Sequence, residues 1–307
     1  MACEDATSSS LLLKGAVIPD DGTGVRRILL IVAVAICGLI GAQLPTRAAP
    51  ASVCCHNETV QRPVLAAGAL VLLSGVAGAS PVPAPLPSRV LDLSSWYLTL
   101  PSAAPGSSTA ADVKQPALGA FTEPQVFWVK GNAVAFRAPV GGATTKNSSY
   151  PRTELREMQP GGRVKASWST FSGTHTLVVR EASTHLPAVK SQVVLAQIHN
   201  AKDDVIEVMA DGTKGRSRIC VRFNGRTQSR CLDNSYALGT FFDLKIAAGG
   251  GHIKISYNGR QALDLESHET NCYFKAGAYT QSNPSKGDSR SDYGETQIAS
   301  LAVSHTA

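Results

Sequence analysis

Residues 271–281 read NCYFKAGAYTQ, and the two faces of this stretch decide how the chain folds. Successive side chains of a β-strand point to opposite sides, so Tyr273, Lys275, Gly277, Tyr279 and Gln281 share one face. Phe274, Ala276 and Ala278 share the other, an ordinary apolar core face. A plain solvent face carries Thr, Ser, Glu and Lys; two phenols, an ammonium and an amide in one row are a different composition. The glycine among them leaves room for something close. The strand is expected to hold a core on one side and a ligand on the other.

Outward from this strand, the chain from Ser88 onward is almost wholly β in character. Short apolar or alternating runs such as VLDLSSWYLTL, QVFWVKGNAVAFRAP, THTLVVREA, DVIEVMAD, RICVRF, FFDLKIAA and HIKISYNG are separated by Gly, Asn, Asp and Pro clusters. Many strands at this spacing, with no convincing amphipathic helix and no repeat of fixed period, predict an all-β sandwich or β-jelly roll. No linker interrupts residues 88–307, so they are expected to form one domain.

Two further strands share the polar character. In SQVVLAQIHN, Gln197 and His199 lie two apart on one face, in line with Val193 and Leu195. Such a strand is buried along most of its length, and one face turns polar only near its end. A lone buried histidine is more often a satisfied structural residue than a catalytic one. In PRTELREM, Arg152, Glu154 and Arg156 share a face opposite Thr153, Leu155 and Glu157. Taken alone, those alternating charges read as a solvated edge strand, kept charged against aggregation. Taken together, the three segments describe the lining of a groove in a bent sheet: Arg152, Glu154, Arg156, Gln197, His199, Tyr273, Lys275, Tyr279 and Gln281.

That lining is basic and rich in hydrogen-bond donors, and the charge balance agrees. From Ser80 onward 24 Lys/Arg face 18 Asp/Glu, which accounts for the whole net charge of +6. A basic globular domain suits an acidic partner, whether nucleic acid, anionic membrane or polyanionic sugar. A base-stacking site would interleave exposed aromatics with basic residues, so a carboxylated sugar chain fits better than nucleic acid.

Residues 1–79 differ from the rest. Arg26 and Arg27 precede the apolar run ILLIVAVAICGLIGA, and Arg62 precedes VLAAGALVLLSGVAGA. Both are shorter than the roughly 20 residues of a membrane-spanning helix. The second run, with its basic start and its small-residue site Ala77-Gly78-Ala79, reads as a secretory signal, with cleavage after Ala79 and export to the cell exterior. The first run is open to reading as an anchor or a twin-arginine signal; a translation start placed too early is preferred, with the true start near Val60. The Pro-rich SPVPAPLP, residues 80–87, reads as a linker.

Four of the seven cysteines precede Ser80. Cys220 and Cys231 flank VRFNGRTQSR, whose Asn224-Gly225 is a strong hairpin turn, and a disulfide across that hairpin suits an exported protein. Cys272 is left over. There is no Cys-x-x-Cys pair and no His-Glu-x-x-His, so no structural metal site is expected.

The three polar strands resemble, in order along the chain, the signatures of the alginate lyases of polysaccharide lyase family 7. Those signatures are an Arg-Thr/Ser-Glu-Leu-Arg strand, a Gln-Ile/Val-His strand and a Tyr-Phe-Lys-Ala-Gly-x-Tyr-x-Gln strand. In this chain they stand at Arg152 to Arg156, Gln197 to His199, and Tyr273 to Gln281. The resemblance runs from DLSSWYLTLP near residue 92 to the closing LAVSH and leaves out residues 1–79. It implies a β-jelly roll whose concave sheet binds alginate and cleaves it by β-elimination, with no required metal or organic cofactor. Arg152, Gln197, His199 and Tyr279 would carry the chemistry. Glu154, Arg156, Tyr273, Lys275 and Gln281 would bind neighbouring sugar units, with Glu154 orienting the arginines. The protein is expected to be a monomer without a nucleic-acid partner and, once the signal is removed, without a stable membrane partner.

Elimination in a 4-linked uronate removes the C5 proton and expels the C4 oxygen. The adjacent carboxylate makes that proton poorly acidic, so the site must neutralise it where charge develops, a task for Arg152 and Gln197. In guluronate the proton and the leaving oxygen are anti, which calls for two residues: His199 as base and Tyr279 as acid. In mannuronate they are syn, and Tyr279 could serve in both roles once deprotonated. Within the resembling family, Ile at the centre of the Gln-x-His strand accompanies guluronate-containing chains, and Ile198 tilts the expectation that way.

Three other functions remain open on the sequence. A glycoside hydrolase needs two carboxylates across the scissile bond; Glu207 and Asp211 in DVIEVMAD share a face but fall outside the three polar strands. A non-catalytic polyanion-binding module would use the same lining. A lyase acting on another polyuronate, such as glucuronan, is the third.

Overall fold

The computed structural model describes residues 84–307. The two apolar runs and the expected cleavage site lie outside the described residues. Pro87 is buried and opens a short 3-10 turn, Pro87–Arg89, ahead of the first strand.

Fifteen strands follow in chain order. They are β1 (Trp96–Ala103), β2 (Ala110–Val113), β3 (Phe127–Lys130), β4 (Ala133–Pro139) and β5 (Arg152–Glu157). Next come β6 (Thr174–His185), β7 (Gln192–His199), β8 (Asp204–Asp211), β9 (Arg218–Phe223) and β10 (Gln228–Asp233). The last are β11 (Phe242–Gly249), β12 (His252–Tyr257), β13 (Arg260–Glu266), β14 (Tyr273–Thr280) and β15 (Tyr293–Thr306). They form two antiparallel sheets, an eight-stranded one ordered β10-β9-β8-β7-β14-β5-β1-β2 and a seven-stranded one ordered β13-β12-β11-β6-β15-β4-β3. The chain crosses repeatedly between them, as in the expected jelly roll.

All three polar strands fall together, in the order β7-β14-β5, at the middle of the larger sheet. The reading of residues 152–156 as a solvated edge is therefore overturned: β5 is hydrogen-bonded on both sides, to β14 and to β1, and all six of its residues are buried. Its charges are tolerated because they meet partners across the strands rather than water.

The register separates core from groove row by row. Leu98, Leu155, Ala276, Ala196, Val208 and Val221 stand opposite one another across six strands, and each is fully buried against the second sheet. One residue along each strand, the row becomes Tyr97, Arg156, Lys275, Gln197, Glu207 and Arg222. The two-residue side-chain period alone puts the first row inside and the second on the open face. Burying the apolar row at about 25 cal/mol per Å² locks this register, because a one-residue slip of any of these strands would turn its polar side chains into the core.

Two backbone details shape the sheet. Asn224 and Gly225 both adopt positive φ, 51° and 60°, between β9 and β10, the tight turn expected from the sequence. Directly behind it Cys220 and Cys231 are paired in a disulfide. In β14 the register to β7 slips between Ala276 and Tyr279, a β-bulge at Gly277, whose φ is 141°. A Cβ on Gly277 would lie 2.5 Å from the Thr153 carbonyl oxygen and 3.1 Å from the Phe136 ring. The space saved by this glycine is thus taken up by the neighbouring strand and the core, not turned toward a ligand as the sequence suggested.

Candidate active site

At the centre of the open face stands Glu154, whose side chain is wholly buried although it carries a charge. Three partners compensate it: Lys275 Nζ at 2.5 Å, Arg152 Nη1 at 3.2 Å, and the Gln197 side-chain amide, which donates to Oε1. Burial works against the Glu154 anion, but Lys275 and Arg152 outweigh it and hold the carboxyl below its ordinary range. Lys275 is affected in the opposite sense. Burial first, and then repulsion from Arg152, pull its ammonium down to about 8 against the attraction of Glu154. One carboxylate thus fixes three donors from three strands, β5, β7 and β14.

Tyr279 stands at one end of this cluster. The Arg152 guanidinium lies over its ring, with Cζ 3.7 Å from the ring centroid. Ser148 Oγ is 3.0 Å from Tyr279 Oη and accepts from Arg152 Nη2, also at 3.0 Å. Phenol, hydroxyl and guanidinium therefore form one connected unit. The rest of the Tyr279 ring is set among Val194, Met209 and Cys220, with Tyr150 alongside.

His199 stands at the other end, opposite Tyr273 in the register. Its Nδ1 is 2.7 Å from the Asn200 carbonyl, which can only accept, so Nδ1 carries the proton and Nε2 keeps its lone pair. Burial, then the nearby Lys275, lower the pKa of the imidazole and favour this neutral form. Tyr273 stacks on the His199 ring at 5.4 Å with Oη 3.1 Å from Nδ1, and the Arg156 guanidinium also lies over Tyr273, 3.8 Å from its centroid.

All nine residues expected to line the groove reach this face, but they divide into groups. Arg152, Glu154, Gln197, Lys275 and Tyr279 are linked through direct contacts and Ser148. His199, Tyr273 and Arg156 form the second group. Lys275 is a central member rather than an outer one. Glu154 holds Arg152 but not Arg156, which donates instead to the Glu157 carbonyl at 2.8 Å. Gln281 is buried and accepts from Arg222 Nη2 at 3.0 Å.

Sequence reasoning missed Ser148, Tyr150, Glu207 and Arg222. Ser148 and Tyr150 belong to the KNSSY loop before β5, which carries no periodicity to place it. Glu207 was set outside the groove because its strand shows no polar row. Yet β8 pairs directly with β7, so Glu207 stands beside Gln197 on the open face. Its partner is Arg222 Nη2 at 2.6 Å, and Asp211 likewise pairs with Arg218 at 2.7 Å. Each carboxylate of the hydrolase alternative is thus bound to an arginine. Cys272 remains a buried free thiol, with burial raising its pKa to about 12.

The arrangement is a basic, donor-rich trough with a lone-pair nitrogen at one end and a phenol at the other, suited to binding a carboxylate and moving a proton. Comparison with known proteins agrees. A family model described as alginate lyase matches residues 91–305. The solved alginate lyase AlgAT5 of polysaccharide lyase family 7 is 48% identical, with a TM-score of 0.68, over 73% of this chain and 100% of that one. The alginate lyase of Corynebacterium sp. is 42% identical at the same TM-score and the same coverage of each chain. A curated alginate lyase of Klebsiella pneumoniae is 24% identical over 73% of this chain and 92% of its own length. With fold, groove and signature strands in agreement, the chain belongs to the alginate lyases of polysaccharide lyase family 7.

Proposed function

We propose that this lyase acts on alginate through Arg152, Gln197, His199 and Tyr279, and that its preferred chains contain guluronate. The observation that carries the assignment is the buried Glu154, which holds Arg152, Gln197 and Lys275 as one set of donors between His199 and Tyr279. The substrate carboxylate binds to this set, and its charge is neutralised as the C5 proton leaves. His199 Nε2 takes that proton, the tautomer being held by Asn200. Tyr279 gives its hydroxyl proton to the departing O4, with Ser148 as the hydroxyl's neighbour. The products are an unsaturated uronate at one new end and an ordinary reducing end at the other.

The lean to guluronate rests on the placing of base and acid at opposite ends of the donor set, which suits an anti elimination. Ile198 supports it only indirectly, since its side chain is buried in the core. Arg156, Tyr273 and Gln281 bind neighbouring units in this reading, while Lys275 joins Arg152 and Gln197 at the reacting unit. Export, with cleavage after Ala79, rests on the signal-like residues 62–79 and agrees with the Cys220–Cys231 disulfide. No helix among the described residues is long and apolar enough to cross a membrane.

Incubating the protein with separate polyguluronate and polymannuronate, and following the ultraviolet absorbance of the conjugated product, tests the preference. A faster rise on polyguluronate supports it; equal or faster turnover of polymannuronate removes it.

A further inference from the structure

The open face carries more charge than the reaction at its centre requires. Arg222 on β9 stands opposite Glu207, Glu207 opposite Gln197, and Gln197 opposite Lys275. Strands lie about 4.8 Å apart, so Arg222 is about 10 Å from Gln197, measured across the strands. The polar row is continuous in that direction, which is therefore the path open to an extended glycan.

Arg222 is held as Arg152 is held. In each case a wholly buried glutamate on the open face grips one edge of a guanidinium: Glu154 grips Arg152 Nη1, and Glu207 grips Arg222 Nη2 at 2.6 Å. Gln281 accepts from the same Nη2, so one nitrogen of Arg222 makes all of its polar contacts. Nε is buried without a partner and is closed to a ligand, while Nη1 makes no hydrogen bond or ion pair among the described residues. An arginine whose Nη2 is held by two partners keeps its position and offers Nη1 as a charged donor to a second carboxylate. Burial raises the Glu207 pKa against the pull of Arg222 and Arg226. Simple cross-strand pairing of β8 with β9 explains the ion pair but not the unused Nη1.

We infer that Arg222, positioned by Glu207, is the carboxylate receptor for a uronate unit about two units from the one being cleaved. This extends the binding groove across β8 and β9 toward the disulfide-linked hairpin, and it rests on the lyase reading above.

The test is a length series of guluronate oligosaccharides from trimer to hexamer, with kcat and KM measured for the native protein and for Arg222→Met. In the native protein kcat/KM steps up at the length that first reaches β9. In Arg222→Met that step shrinks about 10- to 100-fold, the range for a charged hydrogen bond, and the loss falls on KM. Arg222→Lys, which keeps the charge but not the fork, restores part of the step. A loss of equal size at every length, or an unaltered step in Arg222→Met, overturns the assignment. Should Arg222→Met fold poorly by circular dichroism, Arg222→Lys against the native protein gives the same length comparison. Absence of ultraviolet product from the native protein at any length would instead remove the lyase reading itself.

Discussion

The Arg152 guanidinium lies over the Tyr279 ring, Cζ 3.7 Å from the centroid, while both groups contact Ser148 Oγ at 3.0 Å. The contact ties the group that would meet the substrate carboxylate to the group that would protonate the leaving oxygen. The ring holds the arginine; the hydroxyl remains for chemistry.

That division makes Tyr279→Phe informative. Phenylalanine keeps the π-face under Arg152 and removes only the acidic proton. The expected outcome is a fall in kcat of about 10²- to 10⁴-fold with little change in KM. Steady-state kinetics on alginate check it, and a variant retaining more than a third of native turnover excludes Tyr279 as the acid.

A bell-shaped pH profile of kcat/KM is expected from the two shifted groups. His199 must be neutral to act as base, and its lowered pKa carries the acidic limb below the ordinary histidine range. Lys275, at about 8, loses its proton as pH rises through that value, which removes a cation from the donor set and sets the alkaline limb. Lys275→Arg should move the alkaline limb upward and leave the acidic limb in place. Movement of both limbs, or of neither, contradicts the assignment.

Glu154→Gln tests the stability of the cluster. It leaves Lys275 and Arg152 buried without a counter-charge, and breaking such a buried pair costs about 3–5 kcal/mol. Urea denaturation should show that loss. A change below about 1 kcal/mol would mean that the two cations find other partners.

The Cys220–Cys231 disulfide closes a short loop, separation 11, and packs in the same cluster as Val194, Met209 and Tyr279. Replacing both cysteines by alanine should cost about 2–4 kcal/mol of stability. Turnover of short oligosaccharides should also fall in that variant, even folded at low temperature, because Cys220 helps seat the Tyr279 ring. Native turnover in the folded variant would show that the hairpin does not position Tyr279.

Much of this site was legible because strand alternation is a strict rule. Once residues 273–281, 197–199 and 152–156 were read as strands, the two-residue period put the charged and phenolic side chains on the open face. Bulges broke it elsewhere: Val193 and Leu195, expected in line with Gln197, lie in the core, and Val194 instead packs with Tyr279. What alternation cannot supply is the order of strands in the sheet. Glu207 looked remote from Gln197 in the sequence and proved to be its neighbour, because β8 returns beside β7. Loop residues escaped for a related reason: Ser148 has no period and is placed only by the turn into β5. Gly277 was noticed for the room it leaves but assigned the wrong beneficiary, since a bulge reveals itself only through the register of its partner strands.

The most direct test of β-elimination at this site counts both kinds of new chain end in one digest of alginate by the purified protein. Elimination gives one ultraviolet-absorbing unsaturated uronate for every new reducing end, with both signals lost together in Tyr279→Phe. New reducing ends without the matching absorbance would mean hydrolysis, and would contradict the roles of Arg152, Gln197, His199 and Tyr279 in proton transfer and carboxylate neutralisation.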